Sequence, residues 1–450
     1  MTLKDRRPSL GLSTSLALGL YEFFWHLLLP VVLVRLYWKG RRQKGYRHNI
    51  LERLGCYKKR VTSTKLVWVH AVSVGETRAS APLVLALLAD GHQVLLTHMT
   101  PTGRQTGSEL FSKAIAGGQL QQAYLPYDVS WAVKAFLKKF QPMLGLIMET
   151  EVWPVLLRTS VKAGVPLLLV NARLSERSAS RTRRFGFIAK EIYQSFNQIL
   201  AQTTLDAKRY ESLGLSRITV TGNLKFDAAP NFSQIEEALS LRKHLLANMT
   251  IVCAASTRDG EEEMVMAAWS DLMEVQPDLV GTARLMIVPR HPQRFDEVYQ
   301  ALHFKNSAVV RKSQLNDELA FAAALNNGAI ILGDSMGEMS FYYALSDIVV
   351  MGGSLQPLGG QNFIEACSLG CPVILGEHTF NFQQASQDVI DAQAAIRIIH
   401  ADDLSKAMGL LLTDRILREK MSANAIDFSG QHMGATGKIM DIVRQYHPTN

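Results

Sequence analysis

The sequence predicts a two-domain α/β protein: two Rossmann-like arrays facing across a cleft, preceded by an N-terminal membrane-anchor helix. Three observations carry that prediction. Short apolar runs, many of them β-branched, alternate with helix-like stretches in two successive arrays of similar size. A polar connector around Phe226–Ser240, with Pro230, Asn231 and Ser233, separates the arrays as a hinge would. One apolar stretch of membrane-spanning length stands at the front, followed at once by basic residues. The expected boundaries are 1–45 for the anchor and its basic flank, 46–228 for the first array, and 229–450 for the second array with a terminal helix.

The anchor reads LALGLYEFFWHLLLPVVLV from Leu16 to Val34, about the length that covers ~30 Å of hydrocarbon. Glu22, His26 and Pro30 interrupt it, so it either spans or lies within the interface. No small-residue cleavage signature follows, which argues against a removed signal peptide. Arg35, Lys39, Arg41, Arg42, Lys44 and Arg47 come next, and such a flank keeps the rest of the chain on the cytoplasmic side. Trp25, Tyr37 and Trp38 suit the membrane–water interface. The formal charge of +8 invites an anionic membrane, a phosphorylated substrate or nucleic acid. The last is disfavoured, because the basic residues bracket an apolar anchor and no aromatic-interleaved sheet motif is present. The four cysteines are scattered, with Cys367 and Cys371 four apart and no second pair to complete a zinc site. They read as buried thiols.

In the first array, strands are expected at Leu66–Val69, Val94–Thr97, Leu144–Met148, Leu167–Val170, Ile199–Ala201 and Ile218–Val220, with helices such as Ala79–Leu88, Ala132–Phe140 and Ile188–Phe196 between them. The stretch Lys65–Thr77, KLVWVHAVSVGET, passes from strand through a small-residue turn to a helix opened by Glu76. That unit places Glu76 where ligands collect in a doubly wound sheet, although a carboxylate there also suits the helix macrodipole. Two later strand ends carry charge: Glu149-Thr150-Glu151 ahead of Trp153-Pro154, and Asn223-Leu224-Lys225. The two glutamates either position a sugar or form a capping pair before Trp153. A basic run (Arg173, Arg177, Arg181, Arg183, Arg184, Lys190) is either a solvated helix face or a contact for anionic lipid.

The second array is expected to place strands at Ile251–Ala255, Leu285–Val288, Ala329–Leu332, Ile348–Met351 and Val373–Leu375, and to close with a short helix over Ile439–His447. Neither G-x-G-x-x-G after the first strand nor G-x-x-x-x-G-K-[ST] occurs, so a dinucleotide fingerprint and a P-loop are both unsupported. The strand ends instead carry Pro289-Arg290, Gly333-Asp334-Ser335-Met336-Gly337-Glu338, and Gly352-Gly353-Ser354 running on to Gly359-Gly360-Gln361-Asn362-Phe363-Ile364-Glu365. An arginine fork suits a phosphate. Glycines at a βα turn let backbone N–H groups approach an anion. Glu365, three residues after Asn362, is placed to accept ribose hydroxyls. Three such turns after successive strands point to a nucleotide or nucleotide-sugar pocket.

Taken in order, HAVSVGE (70–76), THMTPTG (97–103), LPYD (125–128), METEVWP (148–154), NARLSERS (171–178), TGNLKFD (221–227), PRHPQR (289–294), GDSMGEM (333–339) and GGS…GGQNFIEA (352–366) resemble one family. It is the Kdo transferases, which attach 3-deoxy-D-manno-octulosonic acid (Kdo) to lipid A precursors in lipopolysaccharide synthesis. The resemblance runs from the anchor to about Gly376. It implies the two-domain GT-B arrangement, CMP-Kdo as donor, a lipid A precursor (lipid IVA) as acceptor, inversion at the anomeric carbon, no metal and no further cofactor. By the same resemblance Glu76 matches the catalytic base, while Glu149 and Lys225, with Glu151 close by, match groups supporting the transition state. Pro289, Arg290, Met336, Gly337, Glu338, Asn362, Phe363, Ile364 and Glu365 match the CMP-binding segments. The chain departs from the family pattern at Val155, where Asn is usual, and at Gln361, where His is common. The implied location is the cytoplasmic side of the inner membrane. The alternatives are a membrane-associated transferase using a UDP or GDP donor, or a non-catalytic nucleotide-binding membrane scaffold.

Overall fold

The computed structural model describes residues 11–58, 65–227, 231–305, 308–400 and 402–446. Pro230 of the expected hinge, the 228/229 boundary and His447 at the expected end of the last helix lie outside them. The chain forms two compact units, Met1–Ala228 with Met433–Asn450, and Ala229–His432.

The first unit holds a seven-stranded, all-parallel sheet: β1 Leu66–His70, β2 Gln93–His98, β3 Leu120–Tyr124, β4 Leu144–Met148, β5 Leu167–Ala172, β6 Gln198–Ala201 and β7 Ile218–Val220. Their order is β3-β2-β1-β4-β5-β6-β7. Apolar residues alternate between two covered faces. Val67, Val69, Leu144 and Leu146 pack on one side, and Leu66, Trp68, Leu167 and Leu169 on the other. Of the seven, β3 was not expected from the sequence. Its Gln121 and Gln122 are only half-buried, as an edge strand allows, so LQQAY lacks the continuous apolar run of a central strand. Strand order reverses between β1 and β4. Their carboxyl ends therefore open the crevice in which such sheets bind ligands.

The second unit repeats this plan with β8 Thr250–Thr257, β9 Ala283–Pro289, β10 Val309–Arg311, β11 Ile330–Leu332, β12 Ile348–Met351, β13 Val373–Leu375 and β14 Ala395–Arg397. The order is β10-β11-β9-β8-β12-β13-β14, so its reversal lies between β8 and β12. The two outermost strands, β10 and β14, are not expected from the sequence: each ends in an arginine and is only partly buried, so neither writes a continuous apolar run.

The terminal helix differs in its allegiance. Read from sequence it closes the second array, whereas Ala435–Arg444 folds with the first unit. Its Ile439, Met440 and Val443 share a core with Leu83, Val84 and Leu87 of the helix Ala81–Ala89. The Asp227 carboxylate accepts from the amides of Gly434 and Thr436 at its start. An amphipathic stripe shows that a helix has a buried face, but not which core receives it.

The leading helix, Leu12–Arg42, runs unbroken through Pro30 for 31 residues, about 46 Å at 1.5 Å per residue. Among the described residues it alone is long and apolar enough to cross a membrane. Leu16, Leu20, Phe24, Leu27, Val31 and Val34 are each more than half exposed. Glu22, the charge that spoils the span, accepts at 2.7 Å from the amide of Ser130, which opens the helix Ser130–Phe140. Trp25 stacks on Tyr127 with ring centroids 5.8 Å apart. The polar interruption is thus a docking face.

Candidate functional site

In the first unit, β1 ends at His70 and the helix Val74–Ala79 follows after three residues. Ser73 caps it, accepting from the Glu76 amide at 3.4 Å. Glu76 in turn reaches back to accept from the Val72 amide at 2.6 Å through Oε2, one residue beyond the reach of an ordinary capping box. Glu76 is therefore a cap residue, as its position alone suggested. It is also more than that. Burial, with Glu151 and Glu149 nearby, pushes its pKa up to about 7 against the pull of the Val72 amide. A carboxylate tuned to that range suits proton abstraction at neutral pH.

Glu149 follows β4, directly beside β1 in the sheet. Its backbone is left-handed, with φ 53°, a conformation that costs a non-glycine residue about 1–2 kcal/mol. Its Oε1 lies 3.3 Å from Lys225 Nζ. Lys225 sits in the turn Leu224–Phe226, held by two asparagines. Asn223 Oδ1 accepts from the Lys225 amide and Asn171 Oδ1 from the Leu224 amide, each at 3.0 Å. Glu151 accepts from Trp153 Nε1 at 2.8 Å, and burial followed by Glu149 raises its pKa despite that bond. The capping alternative for these two glutamates fails. The helix Pro154–Lys162 is capped instead by Asp128, which accepts from the amides of Val155 at 3.1 Å and Leu156 at 2.7 Å.

Two histidines lie beneath this group. His98 faces the Ala71 carbonyl at 3.0 Å through Nδ1 and Gln122 Nε2 at 3.1 Å through Nε2. His70 faces the Thr97 hydroxyl at 2.9 Å. Burial drives His70 down to about 3 and His98 to about 4, so both are neutral where Glu76 titrates and neither carries charge into the site. Glu76, Glu149, Glu151 and Lys225 are thereby brought together by β1, β4 and the turn after β7.

In the second unit, Arg290 follows β9 and its amide donates to the Thr257 carbonyl at 2.9 Å, prolonging the β8–β9 ladder. Pro289 is buried within the strand. Glu338 is engaged by Lys312 Nζ at 2.8 Å, by the Ser335 hydroxyl, and by Tyr342 at 3.4 Å. Burial alone would raise its pKa, but the Lys312 and Ser335 contacts outweigh it and hold the carboxyl ionised. Gly337 has φ 84°, and its carbonyl accepts from Gln234 at 2.9 Å. Met336 is exposed. Asn362 Oδ1 accepts from the Ile364 amide at 3.2 Å. Phe363 and Ile364 bury their side chains in the core, leaving only backbone to meet a ligand. Glu365 Oε1 accepts from Ser340 at 2.9 Å, and burial raises its pKa.

One expectation is overturned. The glycine turn after β12 does not offer its amides to a ligand. Gly353, Leu355 and Gln356 donate at 2.6, 3.0 and 3.2 Å to the fully buried carboxylate of Glu261. The anion that this turn cradles belongs to the protein. Lys312 and Glu261 are not marked in the sequence, and Asn171 is marked there only as the first residue of NARLSERS, because each acts through a partner distant in the chain. Among the described residues, no group of three or more His, Cys, Asp or Glu is placed to hold a metal ion.

The profile of a family described as "3-Deoxy-D-manno-octulosonic-acid transferase (kdotransferase)" matches residues 48–228. A Bordetella pertussis protein named 3-deoxy-D-manno-octulosonic acid transferase is 43% identical over 385 residues, 84% of this chain and 87% of that protein. A Haemophilus influenzae protein of the same name is 33% identical over 441 residues, 96% of this chain and all of its own length. Among solved structures, a glycosyltransferase from Rickettsia africae superposes with a TM-score of 0.55 at 12% identity, covering 85% of this chain and 99% of that one. At such identity the likeness bears on the fold alone.

Proposed function

The chain is a glycosyltransferase of the 3-deoxy-D-manno-octulosonic acid transferase family, and from that premise we propose that it moves Kdo from CMP-Kdo to a lipid A precursor, lipid IVA, with inversion. A glucosamine hydroxyl oxygen attacks the anomeric carbon of Kdo as the bond from that carbon to the phosphate oxygen breaks. The electron pair leaves with CMP, and Glu76 takes the hydroxyl proton. A positioned general base contributes about 10²–10⁴-fold. Lys225, steadied by Glu149, faces the negative charge of the sugar carboxylate, and Glu151 holds the acidic side of the pocket together through Trp153. Arg290 offsets charge on the departing phosphate. The segments around Met336–Glu338 and Asn362–Glu365 hold the nucleotide, with no further cofactor.

The observation that carries this reading is the carboxyl of Glu76, poised near pH 7 beside a lysine–glutamate pair at the carboxyl ends of β1 and β4. The acceptor is a lipid, and the leading helix with Arg35, Lys39 and Arg41 at its end keeps the enzyme on the cytoplasmic face of the inner membrane, each basic residue contributing about 1 kcal/mol at an anionic surface. The test is release of CMP from CMP-Kdo on addition of tetra-acylated lipid A precursor, with the anomeric configuration of the product read by NMR. Release with inverted product supports the proposal. Release without acceptor dependence, retained configuration, or equal use of UDP- or GDP-linked sugars contradicts it.

A further inference from the structure

We propose that Arg258 pairs with Arg290 as an anion subsite at the strand ends of the second unit, taking an oxygen of the donor's phosphate or carboxylate. The proposal deepens the donor reading above and rests on it. Strands β8 and β9 pair from Thr250 and Ala283 to Ala255 and Val288, shift register by one residue at Ser256, and pair again at Thr257 and Pro289, and the Arg290 amide continues the ladder to the Thr257 carbonyl. The next residues on the two strands, Arg258 and Arg290, therefore stand side by side at about the 4.8 Å spacing of paired strands. Both residues bring guanidinium donors to the same end of the sheet, where one anion can be shared between them.

The chain around Arg258 is held rigidly. Its amide donates to Glu261 Oε2 at 2.8 Å. Ser256, two residues before it, takes a left-handed φ of 57°. Gly352 packs so closely on the Ser256 carbonyl that a Cβ there would collide with it. The position lies where strand order reverses, between β8 and β12, the place at which open α/β sheets take their ligands. Among the described residues, no carboxylate forms an ion pair with the Arg258 side chain. Its Nε is buried and has no hydrogen-bond partner. Of the nearby carboxylates, Asp259 and Glu262 are held by Arg294 at 2.6 and 2.9 Å, and Glu261 accepts from backbone amides. His291 reports the same field. Burial first, then Arg258, Arg290 and Arg294, push its pKa down. A CMP-linked 2-keto sugar acid carries two anions, a phosphodiester and a carboxylate, and an arginine fork fits either.

The test uses the full-length protein with Arg258→Gln and Arg258→Lys, checked for unaltered unfolding temperature. CMP and cytidine are titrated calorimetrically, and the KM for CMP-Kdo is measured. If Arg258 holds the phosphate, the Gln variant binds CMP about 10- to 100-fold more weakly while cytidine binding is unchanged. If it holds the carboxylate, CMP affinity is kept and the KM for CMP-Kdo rises by about the same factor. The Lys variant, with charge but no fork, falls between, and it alone carries the test should Arg258→Gln not fold. CMP affinity and KM both unchanged in the folded variants overturn the proposal. Wild-type protein that neither binds CMP nor cleaves CMP-Kdo refutes the donor reading instead. Inorganic phosphate then serves as the probe: ³¹P line broadening that is lost in the folded variant sustains the subsite, and broadening that is retained, or absent from the wild type, removes it.

Discussion

Glu76 shows how one side chain serves structure and chemistry together. Its Oε2 ties the Val72 amide, and burial beside two other glutamates lifts its pKa from 4.5 to about 7. Two consequences have opposite signs. The proposed reaction uses Glu76 in its deprotonated form, so kcat/KM should climb as pH rises through about 7, and Glu76→Gln should erase that limb of the profile. Stability runs the other way. The folded pKa lies above the unfolded one, so the stabilisation is complete below about 4.5 and is lost as pH rises through about 7. Glu76→Gln should therefore be more stable than wild type at pH 8, on the order of 1–3 kcal/mol, and equal to it at pH 4. Thermal unfolding at both values checks this, and a variant less stable at pH 8 contradicts it. Glu76 was legible in the sequence because its strand–turn–helix context is local. Asn171, Glu261 and Arg258 were not. Their roles come from partners 53 residues on at Leu224, 92 residues on at Gly353, and across the β8–β9 ladder.

Among the elements, the turn after β12 departs furthest from what its glycines suggest. A glycine turn at a strand end looks like an anion cradle, and it is one, already filled by Glu261 from the helix Glu261–Val275. Glu261→Gln replaces one acceptor oxygen by an NH₂ group that must face a backbone N–H. Leaving such a group unsatisfied costs about 1–3 kcal/mol, so the unfolding midpoint should fall by about 2–12 °C for a unit of this size, and calorimetry showing no shift would rule out the Glu261 clamp. The central strands were legible because burial on both faces writes continuous apolar runs. The edge strands β3, β10 and β14 were not, because polar, partly exposed residues interrupt their apolar runs. The terminal helix was visible as a helix but assigned to the wrong unit. Ending the chain after His432 should therefore uncover Leu83, Val84 and Leu87 in the first unit. Hydrogen exchange would read this as lost protection over residues 81–89, with the second unit's core unaffected. Loss confined to the second unit would contradict it.

At the scale of the molecule, the proposed reaction divides between the two units: Glu76 and the Lys225–Glu149 pair stand in the first, and the basic strand ends proposed to take the nucleotide stand in the second. The leading helix, docked through Glu22 and Trp25, leaves an exposed apolar face. The two-array plan and its anchor were legible as repeated strand periods and one long apolar run; the return of the chain to its first unit was not, since no local pattern encodes it. That division is tested most directly by measuring, on one preparation of Glu76→Gln, both the turnover of CMP-Kdo with lipid acceptor and the affinity for CMP. The account predicts kcat lower by about 10²–10⁴-fold with CMP affinity within about twofold of wild type, on a scale where tenfold is 1.4 kcal/mol. Turnover close to that of the wild type, or CMP affinity lost together with kcat, would contradict it.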